Sequence, residues 1–382
     1  MNKKHIVVYT LLRPLVSLFL RIKFGYRYKK AKNLPKTPYI VLSNHTTDFD
    51  PLFVGVSFKR QMYFVGSEHI ARWKNAFKFI KFGFDPILRY KGTSAAHAIL
   101  EVLRRIRKGA CVCMFAEGVR SWDGTSSPIA ETTGQLVKSA KCALVTYKLV
   151  GGYFVSPMWS RGGTRRGHIH GSVVSVYTKE QIAEMSVDEI NAIIKSDLYE
   201  DAYERQLASP KKYKGKQLAY QMESMLYICP FCSAHDSMYS EKNTVKCKCC
   251  GHSFTYDEYG MLDGLEYKTV KELSDWQKQA LISDIEGGCV YTSPDARVST
   301  VRDHKEEFVT EGELTMTSER LSCGELCIDV SQISDLAMHG RQTLVLSVQK
   351  DYYEIVIPDT SNALKFFLMY RALSSGVLQT IK

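Results

Sequence analysis

Between Pro38 and about Leu149, short runs rich in β-branched and aromatic residues alternate with stretches of helical periodicity. YIVLS, PLFVGVSF, MYFVGS, AHAILEVLRRIRKG, ACVCMFA, TGQLVKSA and ALVTYKL follow one another along the chain. This alternation predicts an α/β domain. The stretch from Ala95 to Lys108 predicts a helix: Ile99, Leu103 and Ile106 recur at helical spacing, while Arg104, Arg105, Arg107 and Lys108 fall on other faces and toward its C-terminal end, and Gly109 stops it. Residues 150–178 hold Gly-rich turns and a strand-like SVVSVY run. Residues 186–207 predict one charged amphipathic helix, entered at Ser186 with acidic residues in its first turn. The pattern then changes to a cysteine-rich stretch from Cys229 to about Tyr259, and residues 261–382 end in short alternating strands with one helix near Asn362 to Leu373.

The N-terminal run HIVVYTLLRPLVSLFLRI is apolar but interrupted by Arg13 and Pro14, and Lys3, Lys4, Arg21, Lys23, Arg27, Lys29 and Lys30 flank it. No segment spans a bilayer cleanly on this reading. The run predicts an interfacial helix anchored by basic residues, the alternative being a helix packed on the domain itself. Charge sharpens this. The chain has 382 residues and a net charge of +11, divided unevenly: residues 1–228 carry +19 and residues 229–382 carry −8. The first part therefore calls for an anionic partner, whether nucleic acid, a phosphorylated small molecule or the face of a bilayer. Eleven cysteines, an odd count in a long chain with no recognisable cleavable signal, argue against a disulfide framework and for a reducing cytoplasm.

Candidate chemistry begins directly after YIVLS, at Asn44-His45-Thr46-Thr47-Asp48-Phe49-Asp50-Pro51. Four residues separate His45 from Asp50, a spacing that one turn can fold back on itself. An imidazole held by a carboxylate is a fixed tautomer and a stronger base, suited to deprotonating a hydroxyl. Some seventy residues on, after the apolar ACVCM, stands Phe115-Ala116-Glu117-Gly118-Val119-Arg120-Ser121. Gly118 permits a tight turn beside a ligand, Arg120 presents a planar fork to a phosphate, and Glu117 accepts from a substrate hydroxyl or holds Arg120. Asp85-Pro86-Ile87-Leu88-Arg89 lies between the two and offers a second arginine.

These three segments, in this order, resemble the lysophosphatidic acid (1-acylglycerol-3-phosphate) acyltransferase family over roughly residues 35 to 150. The chain differs at Ala116, where the family usually has proline, at Val119, where it often has threonine, and in lacking an obvious proline-bearing fourth motif in ALVTYKL; Pro157 lies further on. The resemblance implies acyl transfer from an acyl-CoA or acyl-carrier-protein thioester to the free hydroxyl of a lysophospholipid. His45 would be general base and Asp50 its orienter, with Arg89, Glu117, Gly118 and Arg120 at the acceptor and no redox cofactor. The competing reading is a non-catalytic lipid- or nucleic-acid-binding scaffold, which intact His45 and Asp50 disfavour.

Cys229-Pro-Phe-Cys232 and Cys247-Lys-Cys-Cys250 are two Cys-x-x-Cys knuckles separated by fourteen residues, the pattern of a tetrahedral structural zinc site in a zinc ribbon. Cys249 is the spare thiol; His235 and His252 are alternative ligands, and redox chemistry is the competing role. A nucleic-acid role is disfavoured, since the ribbon carries only Lys242, Lys246 and Lys248 against Asp236 and Glu241. The tail of strands and a closing helix resembles the pleckstrin-homology-like superfold at the level of fold alone.

The expected organisation is an interfacial helix (1–30), an α/β acyltransferase domain (31–208), a basic linker (209–228), a zinc ribbon (229–260) and a β-rich domain (261–382). The expected location is the cytoplasmic face of the membrane, peripheral or monotopic.

Overall fold

The computed structural model describes residues 3–36, 38–89, 96–302, 305–349 and 351–374, and these fall into two compact units: residues 1–158 with 164–214, and residues 159–163 with 215–382. In the first unit the elements run α1 (Lys3–Phe24), β1 (Arg27–Tyr28), β2 (Tyr39–Ser43), α2 (Asp50–Ser57), β3 (Met62–Ser67), α3 (Lys74–Phe84), β4 (Ile87–Arg89), α4 (Ala96–Arg107), β5 (Cys111–Phe115), α5 (Thr132–Ala140), β6 (Ala143–Val150), α6 (Gly152–Val155), β7 (His170–Tyr177), α7 (Lys179–Glu184), α8 (Val187–Leu198) and α9 (Ala202–Ala208).

The seven strands form one sheet in the order β1-β7-β6-β2-β5-β3-β4. From β6 through β4 every neighbouring pair is parallel, and only β6 and β7 run antiparallel. A parallel strand buried on both faces reads as a continuous apolar run, and Tyr39, Ile40, Val41 and Leu42 are all buried. One face carries α4, α5 and α8: Val102, Ile106, Leu136, Val137, Ile190, Ile194 and Leu198 close over Ile40, Leu42, Val112 and Leu144. Toward the other face lies α2, with Phe53 packed between Tyr26 and Phe24.

The helix expected at Ala95 to Lys108 is α4; Ala95 itself lies outside the described residues. The single helix expected at 186–207 is two. Ser186 caps α8 in a reciprocal capping box with Glu189, and the chain then turns at Tyr199–Asp201, where Ser126 and Glu200 hydrogen-bond each other. Asp201 caps a new helix, α9, by accepting from the Tyr203 and Glu204 N–H groups. A second start signal therefore lies inside the apparently continuous pattern.

Helix α1 retains Pro14 in its interior. Polar side chains along its length hold it to the domain: His5 meets the Tyr63 hydroxyl at 3.2 Å, Tyr9 donates to Gly55 O and Phe58 O, and Arg13 Nε donates to Val56 O at 2.9 Å. Its opposite face leaves Leu11, Leu15, Leu18, Phe19 and Ile22 exposed. By length and composition alone α1 also suffices to cross a bilayer.

The second unit contains a four-stranded antiparallel sheet, β8 (Met238–Glu241), β9 (Thr244–Cys247), β10 (Ser253–Tyr256) and β11 (Leu262–Asp263), in the order β11-β10-β9-β8. Helix α10 (Val270–Glu286) follows, unanticipated by the pattern reading. Then come β12 (Tyr291–Arg302), β13 (Lys305–Met316), β14 (Arg320–Cys323), β15 (Leu326–Asp329), β16 (Ile333–His339), β17 (Thr343–Val348), β18 (Asp351–Val356) and α11 (Leu364–Ser374). These strands form a seven-stranded antiparallel sheet ordered β15-β14-β13-β12-β18-β17-β16, and α11 packs against β16.

Candidate active site

Two segments far apart in sequence meet because β2 and β5 are adjacent and parallel, with Ser43 opposite Phe115. The loops that follow them leave the sheet at the same edge, where α/β ligand sites lie. Backbone bonds join the loops: Ala116 N–H donates to Ser43 O at 3.1 Å and Ser121 N–H to His45 O at 3.3 Å.

His45 Nδ1 lies 2.9 Å from Asp50 Oδ2. Asp50 is fully buried as the first residue of α2, where the helix N-terminus favours a negative charge. It also accepts from Thr46 N–H (2.5 Å), Thr47 N–H (2.9 Å) and the Thr47 hydroxyl (2.7 Å). A carboxylate so saturated with donors accepts the imidazole Nδ1 proton and leaves Nε2 unprotonated. Among the described residues no side chain partners Nε2. The ring stacks on Phe115 with centroids 4.6 Å apart and 22° between planes, which fixes its rotation.

Glu117 is buried and bonds main chain: Oε1 accepts from His45 N–H at 2.9 Å and Oε2 from Ser127 N–H at 2.6 Å. Burial pushes its carboxyl up to about 8, the two N–H donors hold it back, and the Asp50 charge adds to the rise. Oε1 thus braces the loop that carries the histidine and Oε2 braces the stretch after the second motif, and among the described residues no bond joins Glu117 to Arg120.

Arg120 is 8% exposed and fully engaged: Nε donates to Thr46 O at 3.3 Å, Nη2 to Ser156 O, and Nη1 pairs with Asp48 Oδ2 at 2.9 Å. Asp48 itself is 78% exposed. Gly118 has φ +69°, a left-handed turn that glycine adopts without strain, and a β-carbon there would lie 3.4 Å from Arg89 Nη1. Arg89, exposed at the end of β4, thus reaches this edge too. All six sequence-predicted residues, His45, Asp50, Arg89, Glu117, Gly118 and Arg120, converge on one corner.

Four contributors went unassigned in the sequence. Thr47 and Asp48 lie inside the His-x4-Asp segment, and Phe115 opens the second motif, so their positions were in view without a role. Ser156 had no pattern to announce it. It is delivered by the Gly151-Gly152 turn after β6, where a β-carbon on Gly152 would come within 2.1 Å of Thr46 Oγ1. In the second unit, Cys229, Cys232, Cys247 and Cys250 also converge, their sulfur atoms all within 4.8 Å of one another.

Residues 25–150 match the family model described as Acyltransferase. Two solved structures are similar in part. The 1-acyl-sn-glycerophosphate (LPA) acyltransferase PlsC from Thermotoga maritima is 15% identical, with a TM-score of 0.44 over 53% of this chain and 80% of that one. The N-terminal PH domain of human ARAP2 is 12% identical, with a TM-score of 0.19 over 23% of this chain and 83% of that one. No curated protein matches the chain.

Proposed function

We propose that this protein transfers an acyl chain from an acyl-CoA or acyl-carrier-protein thioester to the free hydroxyl of a lysophospholipid, with 1-acylglycerol-3-phosphate as acceptor, at a membrane surface. The observation that carries the reading is the His45–Asp50 pair, whose Nδ1 contact is 2.9 Å and whose Nε2 meets no side chain among the described residues.

His45 Nε2 removes the proton from the acceptor hydroxyl as the oxygen attacks the thioester carbonyl carbon. The new C–O bond forms, the C–S bond breaks, and the imidazolium returns its proton to the leaving thiolate. Products are the ester and the free thiol. Asp50 holds the tautomer and stabilises the imidazolium. Glu117 positions the His45 backbone and does not touch the reacting atoms. The acceptor phosphate binds at Arg89 and at Arg120 Nη1, where it replaces the solvent-exposed Asp48 carboxylate.

The membrane-facing element is the outer side of α1, where Leu11, Leu15, Leu18, Phe19 and Ile22 are exposed, together with Phe79 and Phe82 of the adjoining α3 and the flanking lysines and arginines. The bonds of His5, Tyr9 and Arg13 to the domain support a helix lying along the surface over one crossing the bilayer.

Purified protein should convert lysophosphatidic acid and palmitoyl-CoA to phosphatidic acid and free CoA, and His45→Ala should abolish this with the fold intact. Near-native turnover of His45→Ala across several lysolipid acceptors would overturn the assignment.

A further inference from the structure

Acyl transfer as read above leaves the four converging cysteines of the second unit unused. They sit on two loops with one hydrogen-bond frame. Cys229 N–H donates to Ala234 O at 3.0 Å and Ser233 N–H to Cys229 O at 2.9 Å; Cys247 N–H donates to His252 O at 2.9 Å and Gly251 N–H to Cys247 O at 3.1 Å. The fifth residue of each loop is left-handed, Ser233 at φ +58° and Gly251 at φ +75°. A serine takes that conformation only where its surroundings hold it.

Backbone N–H groups also point at sulfur. Phe231 N–H lies 3.4 Å from Cys229 Sγ, and the Cys249 and Cys250 N–H groups lie 3.3 and 3.5 Å from Cys247 Sγ. The sulfurs are 3.9 Å apart between Cys229 and Cys250 and 3.8 Å between Cys232 and Cys247. A disulfide requires about 2.05 Å. A tetrahedron of sulfurs about 2.3 Å from a central zinc has edges of about 3.8 Å.

The alternative ligands are turned elsewhere: the His252 ring stacks on Phe231, and His235 Nε2 faces Asp284 Oδ2 at 3.4 Å. Cys249 is exposed, in the place that Phe231 holds in the first loop.

The first loop leads directly to Asp236, whose N–H donates to Tyr227 O at 2.9 Å and whose carboxylate meets Lys365 Nζ at 2.5 Å. Lys365 lies on α11, is fully buried, and also donates to Thr292 O of β12 at 2.6 Å. A buried ammonium depends on its counter-ion. Here that counter-ion is supplied by the exit of a cysteine loop.

We propose that Cys229, Cys232, Cys247 and Cys250 bind one zinc ion as thiolates, and that this ion holds Asp236 beneath Lys365, making the seating of α11 on the seven-stranded sheet dependent on metal. The small sheet β8–β11 has few buried apolar side chains, among them Met238, Val245, Phe254, Tyr256 and Leu262, so the metal supplies much of what fixes its loops.

The test uses the full-length protein prepared without added metal. Elemental analysis should give about one zinc per chain and no stoichiometric iron, and Cys229→Ser with Cys250→Ser should lose it. A folded preparation without zinc, with iron in its place, or with the four thiols oxidised would overturn the site. Hydrogen exchange on the wild-type chain, before and after chelation, tests the second half without a variant: amides of α11 and β12 should lose protection by tenfold or more. Asp236→Asn should reproduce that loss while zinc stays bound. Unchanged protection of α11 after complete zinc removal would overturn the coupling.

Discussion

The corner around His45 and the corner around the four cysteines bring together residues from distant parts of the chain, but they are held in place differently. His45 and Glu117 stand 72 residues apart and meet because two adjacent, largely buried parallel strands carry them, with a large apolar core beneath. The cysteine loops stand on short strands with little core, and local hydrogen bonds and sulfur geometry organise them. The first corner should therefore tolerate loss of a functional group without loss of fold, whereas the second should not.

The sharpest way to break this contrast is Asp50→Asn. The carboxylate accepts from His45 and from both threonines, so the amide leaves the imidazole in the wrong tautomer and turnover should fall by about 10² to 10⁴, with zinc content unchanged. Circular dichroism and elemental analysis beside the assay decide whether only chemistry was lost.

Next in size is the Arg120–Asp48 pair. Arg120→Ala should raise the acceptor KM by roughly tenfold or more, with little change for the thioester. Asp48→Asn should lower the acceptor KM several-fold if the phosphate replaces that carboxylate. A raised KM in Asp48→Asn would show instead that Asp48 orients Arg120 for the substrate.

Replacing Leu11, Leu15 and Leu18 with serine should cut binding to anionic vesicles by about tenfold or more, read by co-sedimentation, while thermal stability holds, since these side chains are exposed.

The last effect is on stability and its pH dependence, and concerns Glu117. Its carboxyl is raised to about 8 in the fold, above the ordinary value near 4.5, so the folded state binds more protons than the unfolded one between those limits. Its contribution is fully present below about pH 4.5 and is lost as pH rises through about 8, with a slope of up to about 1.4 kcal/mol per pH unit. Denaturation profiles across that range should flatten in Glu117→Gln.

Much of the α/β unit was legible because its signals are local. Buried parallel strands write themselves as apolar runs, and α4 as an amphipathic repeat closed by Gly109. The helix break at Asp201 is masked because charged residues continue the pattern on both sides, so the start signal that Asp201 offers stands out only once the bond of Glu200 to Ser126 has turned the chain. At the site, the pairing of His45 with Asp50 follows from spacing within one loop. That Glu117 braces main chain, that Asp48 occupies Arg120 and that Ser156 joins them are facts of strand order, which no local pattern encodes. Likewise α10 and the long β12–β13 hairpin lack the clean alternation that marks a half-buried strand or an amphipathic helix.

The register of Ser43 against Phe115 has a consequence for how such proteins can vary and be found. What holds the two halves of the site together is a pair of neighbouring strands, so the length of chain between them is free. Residues inserted into the loops at the opposite edge would leave the corner where it is. A search keyed to a fixed interval between the histidine and glutamate segments would therefore miss relatives that a search allowing any interval, but demanding an apolar strand immediately before each segment, would recover.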